Sequence, residues 1–275
     1  MGNSMSLFDG GDHDLGRVEA LLRTERIGRP LRVFESVTST NTIAAEWAEE
    51  GAPHGALVIA DYQTQGRGRL GRTWRAVAGQ NLTFSIILRP DCPPDRFGLL
   101  IIAASLAVAE AIEEVASPIR STIKWPNDVL LSGKKCCGML LESSLAGTLT
   151  NSRQAVVLGI GMNVNQADFP LELSDQATSI LLEAGRRMDR AHLLAVVCAH
   201  LERRLGDVHT SPRNVRRDYM ARMPDLGKPV RFRLSVRDGA VQGVAVGIDE
   251  GGGLVLETDG GPRIFHAGEV TSVGK

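Results

Sequence analysis

Several large functional classes are excluded by what this chain has little of. Aromatic residues make up only 4% of its 275 residues, too few for the extended stacking platforms of single-strand nucleic-acid binders. The formal net charge is -1, so no global basic field gathers nucleic acid, and arginine clusters must act locally. The longest apolar stretch, Leu99 to Val108, is about ten residues, well short of a membrane span. No basic region followed by an apolar one marks a secretory signal. Met1 to Ser6 fits the pattern M-G-x-x-x-[ST], but no polybasic cluster follows to supply a second anchor, so an expression leader ahead of Met5 or a chance match accounts for it. Cys92, Cys136, Cys137 and Cys198 are the only cysteines. None forms C-x-x-C, and they read as small buried hydrophobes of a cytoplasmic protein. The six histidines show no metal-ligand spacing. No metal set can be named from the sequence.

What is present is concentrated. Gly66-Arg67-Gly68-Arg69-Leu70-Gly71-Arg72 packs three guanidinium groups and three glycines into seven residues. Guanidinium forks match phosphate or carboxylate oxygens, and glycine lets a backbone approach a ligand closely. The segment therefore reads as a mobile loop that closes on an anion. It spells G-x-G-x-x-G, and through Thr73 it also spells a P-loop with arginine for lysine. Both motifs need a helix straight after the loop. A strand does precede it at Ala56 to Ala60, but Gly79-Gln80-Asn81 are turn formers and the next apolar run begins at Leu82, so the helix is missing. An exposed basic turn is the plain alternative.

Hydrophobic periodicity organises the rest. Residues 1 to 16 are polar and glycine-rich, and Val18 to Arg26 reads as one short helix. Leu31 to Phe34 is a strand. Thr38 to Asn41 are cap formers before a stripe of Ile43, Ala44, Trp47 and Ala48. Leu82 to Leu88 is a buried strand. Asp95 is the expected cap of a long helix whose apolar face carries Phe97, Leu100, Ile101, Ala104, Val108, Ala111, Ile112 and Val115. Ser121 to Trp125, Val129 to Leu131 and Cys137 to Glu142 follow as strands, the last two as an antiparallel hairpin around Ser132-Gly133-Lys134. Ala155 to Ile160 is another apolar run, and Ser179 to Glu183 and Arg190 to Leu205 look helical. From Val230, short strands broken by Asp238-Gly239, Asp249 to Gly253 and Asp259 to Gly261 predict a small β-barrel or sandwich.

Lys124-Trp125-Pro126-Asn127-Asp128 closes a strand with a polar cluster, since proline cannot continue a central strand. Lys135 lies beside the hairpin turn, ahead of Gly138 to Glu142. Gly159 to Val164 puts Asn163 at another strand end. In this order, with Ser39-Thr40-Asn41 and the arginine-glycine segment, the motifs resemble those of the biotin protein ligases from about Phe34 to the C-terminus. The combination of GRGRxGRxW, KWPNDV and K-x-x-G-x-L-x-E carries the resemblance.

That family implies an α+β fold: a class II aminoacyl-tRNA-synthetase-like mixed, largely antiparallel sheet with helices, followed by an SH3-like β-barrel. The implied division is a disordered or short helical segment (1–30), a catalytic biotin- and ATP-binding domain (31–225) and an SH3-like domain (226–275). The implied reaction is ATP-dependent attachment of biotin to a lysine of a biotin carboxyl carrier domain, through biotinyl-5′-AMP. By position, Ser39, Thr40, Asn41, Gln63, Gly66, Arg67, Gly68, Arg69 and Lys135 resemble the biotin-binding set. Arg69, Arg72, Trp74, Lys124, Asn127, Asn163 and Lys135 resemble the nucleotide set, with Lys135 and Arg69 the catalytic pair. Taken alone, Ser39 to Asn41 would be a helix cap and Lys135 a solvated hairpin lysine. Mg²⁺ would ride on the ATP phosphates, and the role of Asp128 stays open. The alternatives are a lipoate or octanoate ligase or transferase on the same core, and a non-catalytic biotin- or nucleotide-binding regulator. About thirty residues before the first strand are too few for the winged-helix domain of bifunctional relatives, so no repressor activity, no nucleic-acid partner and no membrane partner are expected.

Overall fold

The computed structural model describes residues 14–143, 155–234 and 239–272. Met1 to Ser6, most of the segment expected to be disordered, and Asp238 of a predicted turn lie outside them. A 3-10 turn (Asp14–Arg17) and α1 (Val18–Leu21) lead into β1 (Leu31–Val37), α2 (Thr40–Glu49), β2 (Leu57–Gln63) and β3 (Leu82–Leu88). The chain continues through α3 (Gly98–Val115), β4 (Ser121–Lys124), β5 (Asp128–Leu131), β6 (Lys134–Ser143) and β7 (Val156–Met162). Then come α4 (Ile180–Ala184), α5 (Arg190–Thr210) and α6 (Pro212–Met220). Five strands close it: β8 (Pro229–Arg233), β9 (Val241–Ile248), β10 (Leu254–Thr258), β11 (Gly261–Phe265) and β12 (Glu269–Ser272).

The first sheet has the order β1-β2-β3-β7-β6-β5-β4. Only β1 and β2 run parallel, which is why a helix, α2, is needed between them; every other neighbouring pair is antiparallel, and α3 lies on the connection that carries the chain from β3 to β4 at the far edge. The second sheet, β11-β10-β9-β8-β12, is wholly antiparallel. The fold is thus α+β, with a mixed, mostly antiparallel sheet followed by a small antiparallel one.

Both faces of the central strands are buried, which explains their continuous apolar runs. Leu57 and Ile59 point into the main core with α3 and α5, whereas Val58 and Ala60 join Phe34, Ile43, Ala44 and Ala48 under α2. Val230, Phe232, Leu254 and Val270 of the second sheet belong to the main core as well. Trp125 fastens the junction by donating its indole N–H to the Gly252 carbonyl at 3.1 Å.

Several local expectations are corrected. The helix expected over Val18 to Arg26 stops at Leu21, because the Glu202 carboxylate gathers the backbone N–H groups of Glu25, Arg26 and Ile27 at 2.7–3.0 Å. Asp95 does not cap α3: it lies in a 3-10 turn (Pro94–Arg96), and the helix starts at Gly98 with no side-chain cap. Gly98 is required there, since a Cβ would meet the Gly251 carbonyl oxygen at under van der Waals distance. Nor is α3 one-faced, for twelve of its eighteen residues are buried. Sequence periodicity missed α6 because only Val215 and Tyr219 of it are buried.

Candidate active site

The site lies on the face of the first sheet that carries α2, beyond the end of that helix. Strand register places its parts in rows. Ser85 of β3, Gly159 of β7 and Leu140 of β6 are cross-strand neighbours, and Thr83, Gly161 and Gly138 form the next row. A Cβ on Gly161 would lie 2.7 Å from Trp74 Nε1, and one on Gly138 would lie 2.8 Å from Lys135 Nζ. The glycines therefore form a floor on which Trp74 and Lys135 rest.

One wall is a chain of uncharged groups. Ser39 is the N-cap residue of α2, but its hydroxyl makes no capping bond. Thr40 donates its backbone N–H to Gln63 Oε1 at 2.7 Å, and its hydroxyl oxygen lies 3.0 Å from the same atom. Ser85 Oγ lies 2.7 Å from Thr40 Oγ1 and 2.6 Å from Asn41 Oδ1. Asn41 Nδ2 donates to Glu142 Oε2 at 2.6 Å. Ser39, Thr40, Asn41 and Ser85 are all buried, so what serves as a helix start is also a buried row of polar groups.

The arginine-glycine segment folds as a small hairpin. Arg67 and Thr73 bridge antiparallel, Trp74 N–H donates to Gly66 O at 2.9 Å and Gly68 N–H to Arg72 O at 2.7 Å. The only helical piece is a three-residue 3-10 turn, Arg69–Gly71, so the helix that a dinucleotide motif or P-loop needs is absent here. Leu70 (φ 55°) and Gly71 (φ 74°) turn its tip. Its three arginines go to three different elements. Arg67 pairs with Glu142 at 2.8 Å, Arg69 donates to Asn127 Oδ1 at 3.0 Å, and Arg72 makes a two-pronged pair with Glu269 of β12 at 2.6 and 2.8 Å. Burial lowers the Arg69 guanidinium from its ordinary value, against the opposing pull of Asp128 and Glu269. A buried ion pair between Asp61 and Arg190 at 2.6 Å, with Gly79 N–H on the same carboxylate at 2.8 Å, pins the chain where it returns to β3.

Lys135 reaches the floor because β6 carries a bulge. Leu130 pairs with Lys135 but Val129 with Cys137, leaving Cys136 as an extra residue. Without that residue Lys135 and Gly138 would point to opposite faces; with it they share one. Lys135 Nζ forms an ion pair with Asp128 Oδ1 at 2.7 Å, outside hydrogen-bond geometry. It also lies 5.7 Å from the Trp74 ring centroid. The Trp74 indole N–H is buried with no partner.

The remaining candidates differ in what their polar atoms face. Asn127 holds Arg69 with its oxygen and spends its amide N–H on the Met139 carbonyl at 2.6 Å. Asn163 is turned inward, donating to Thr178 O at 3.1 Å, and ties the end of β7 to the following segment. Lys124 pairs across the ladder with Asp128. Burial pushes the thiols of Cys136 and Cys137 well above their ordinary value, which leaves them protonated and inert. Ser85, Gly159 and Gly161 were not singled out by sequence reasoning. Their signal is their register opposite one another, which only strand pairing reveals.

Sequence and fold also show what this chain is similar to. The signature of the Biotin/lipoate A/B protein ligase family matches residues 33–163, and that of the Biotin protein ligase C terminal domain matches residues 225–271. The bifunctional ligase/repressor BirA of Bacillus subtilis is 39% identical over 254 residues, covering 90% of this chain and 76% of that protein. The biotin--[acetyl-CoA-carboxylase] ligase of Mycobacterium tuberculosis is 35% identical, covering 92% of this chain and 94% of its own. The structure of the biotin protein ligase of Aquifex aeolicus in complex with biotin and ATP superposes with a TM-score of 0.75 at 32% identity, covering 88% of this chain and 98% of that one.

Proposed function

The chain belongs to the biotin protein ligases, within the biotin/lipoate A/B protein ligase family, and from that premise we propose how its residues carry the reaction. The activity is ATP-dependent attachment of biotin to protein through biotinyl-5′-AMP. The biotin carboxylate attacks the α-phosphorus of ATP and expels pyrophosphate; an acceptor amine then attacks the mixed anhydride and releases AMP.

Two anions must meet in the first step, so positive charge has to be fixed where they collide. The supporting observation is that Lys135 lies on the glycine floor between an uncharged wall and three arginines. In this reading Thr40, Asn41 and Gln63, with Ser39 and Ser85 behind them, take the ureido ring, whose N–H and C=O groups suit neutral partners. Gly66, Arg67, Gly68 and Arg69 close over biotin and the adenylate. Lys135 bridges the carboxylate and the α-phosphate once Asp128 yields it. Arg69, Arg72, Lys124 and Asn127 serve the nucleotide, Trp74 covers it, and Asn163 shapes its side of the cleft from behind. Water exclusion by the hairpin protects the anhydride.

Among the described residues no cluster of three His, Cys, Asp or Glu side chains is placed to hold a metal. Mg²⁺ arriving on the ATP phosphates needs no such cluster, since it keeps most of its waters. The acceptor in this reading is a lysine of a biotin carboxyl carrier domain of a biotin-dependent carboxylase. Residues 31–225 carry the catalysis and 226–275 form an SH3-like unit. Among the described residues no helix is long and apolar enough to cross a membrane, and the cytoplasm, where ATP and carrier meet, is the proposed location. ATP–pyrophosphate exchange tests the reading: exchange should need biotin and should fail with lipoate or with no acid. Exchange that ignores biotin would refute it.

A further inference from the structure

Glu142 is assigned no contact with biotin or nucleotide of its own, yet it stands where two of the assigned groups meet. A single oxygen, Oε2, accepts from Asn41 Nδ2 at 2.6 Å and from Arg67 at 2.8 Å. We propose that Glu142 is a positioning residue that sets the direction of the hydrogen-bond chain along the biotin wall and so decides which donors and acceptors face the ligand. This rests on the reading of that wall as the biotin site.

The argument follows the protons. A carboxylate can only accept, so Asn41 must turn its NH₂ towards Glu142. Its Oδ1 then faces Ser85, 2.6 Å away, and claims the one hydroxyl proton of Ser85. The Ser85 oxygen is left as an acceptor towards Thr40 Oγ1 at 2.7 Å. Two oxygens that close need a proton between them, and only Thr40 has one left to give. The Thr40 hydroxyl thus turns to Ser85 rather than to Gln63 Oε1 at 3.0 Å, which the Thr40 backbone N–H already serves at 2.7 Å. At the far end, the Thr40 lone pairs and the Gln63 NH₂ remain for a ligand. One accepts and the other donates, which is the complement of a cyclic urea. An amide in place of Glu142 can present either end to Asn41, so the chain loses its fixed sense and Arg67 loses its counter-charge together.

The space around the chain enforces the same outcome. A Cβ on Gly159 would lie under 2.5 Å from Asn41 Oδ1, so the Asn41 amide occupies the space that the glycine leaves.

The test compares Glu142→Gln, Arg67→Ala and the double variant with the unaltered protein. Biotin dissociation constants come from calorimetry without ATP, ATP KM from pyrophosphate exchange, and stability from the unfolding midpoint. Glu142→Gln should weaken biotin by about 10- to 100-fold, the range for a lost hydrogen bond to a charged acceptor, with ATP KM and the unfolding midpoint unchanged. The double variant should lose more than Arg67→Ala alone, because releasing Asn41 adds to the loss of Arg67. Pairing Asn41→Asp with Glu142→Gln restores a group that only accepts next to Ser85, and should recover part of the lost biotin affinity. Unchanged biotin binding in Glu142→Gln would overturn the proposal. So would a double variant that binds biotin no worse than Arg67→Ala, or equal losses of biotin and ATP affinity with a lowered midpoint. Absence of biotin binding in the unaltered protein would instead overturn the assigned function, and this proposal with it.

Discussion

Replacing Gly159 with alanine should damage biotin recognition and little else. The added Cβ would lie 2.9 Å from Asn41 Cγ and 3.0 Å from Nδ2, and closer still to Oδ1. Ordinary contacts between heavy atoms begin near about 3.5 Å, so the amide must withdraw by roughly 1 Å or more. Both Asn41 hydrogen bonds, to Ser85 and to Glu142, are 2.6 Å long. A displacement of that size takes them beyond useful geometry. One neutral and one charge-assisted bond represent about 2–4 kcal/mol of positioning; where the wall has to be re-formed on binding, that corresponds to a fall in biotin affinity on the order of 10². Gly159 does not hold a left-handed backbone conformation, and its ladder partners Ser85 and Leu140 can keep their backbone bonds, so the sheet should survive. Calorimetry with biotin, paired with circular dichroism, measures both halves of the expectation. A folded variant with undiminished biotin affinity would refute the placement of Asn41 in the biotin wall. Gly161→Ala is the matched control: its Cβ meets the Trp74 indole rather than Asn41, so its effect should fall on the nucleotide.

Lys135→Ala should lower the rate of adenylate formation by about 10²–10³, the scale for removing one preorganised charged donor. Rapid-quench measurement of pyrophosphate release checks this, and a near-normal rate would remove Lys135 from the chemistry. The junction of α3 and α5 should show an acid-sensitive contribution to stability. Burial opposes ionisation of Glu110, but hydrogen bonds from His200 and Arg204 and the charges of Arg204 and Arg203 outweigh it and hold the carboxyl at about 2, against an ordinary 4.5. A depressed carboxyl stabilises the fold above its unfolded value, and that stability is lost as pH falls from about 4.5 towards 2. His200 is raised, first by its hydrogen bond to Glu110, so its share is full below about 6.5 and fades as pH climbs through the raised value. Urea midpoints across pH should therefore fall on the acid side in the parent and fall less steeply in Glu110→Gln; parallel curves would contradict the assignment.

Much of the architecture was legible because it is local. The Ser132-Gly133 turn has both residues at positive φ, 49° and 78°, the geometry that a two-residue hairpin prefers. The arginine-glycine segment was separable from a dinucleotide motif because a helix start leaves a local trace and none was there. The rest depends on partners far apart in sequence. Nothing near Glu142 announces Asn41, about a hundred residues earlier, and only the pairing of β3, β7 and β6 brings Ser85 and Gly159 together. The Cys136 bulge that turns Lys135 onto the floor depends on the register of β5 against β6, which apolar periodicity does not encode. The all-round burial of α3 follows from α5 and the sheet packing on opposite sides of it.

The arginine hairpin is already provided with acceptors from within the fold: Glu142, Asn127 and Glu269. On the proposed reading, a nucleotide arrives as a competitor for charges already engaged. Partner exchange of this kind leaves something behind. A phosphate that draws Arg72 away strands the Glu269 carboxylate, which belongs to β12 and so to the other sheet. The small C-terminal sheet would then sense an occupied cleft as an unneutralised charge on its own edge strand, with no need to touch the nucleotide.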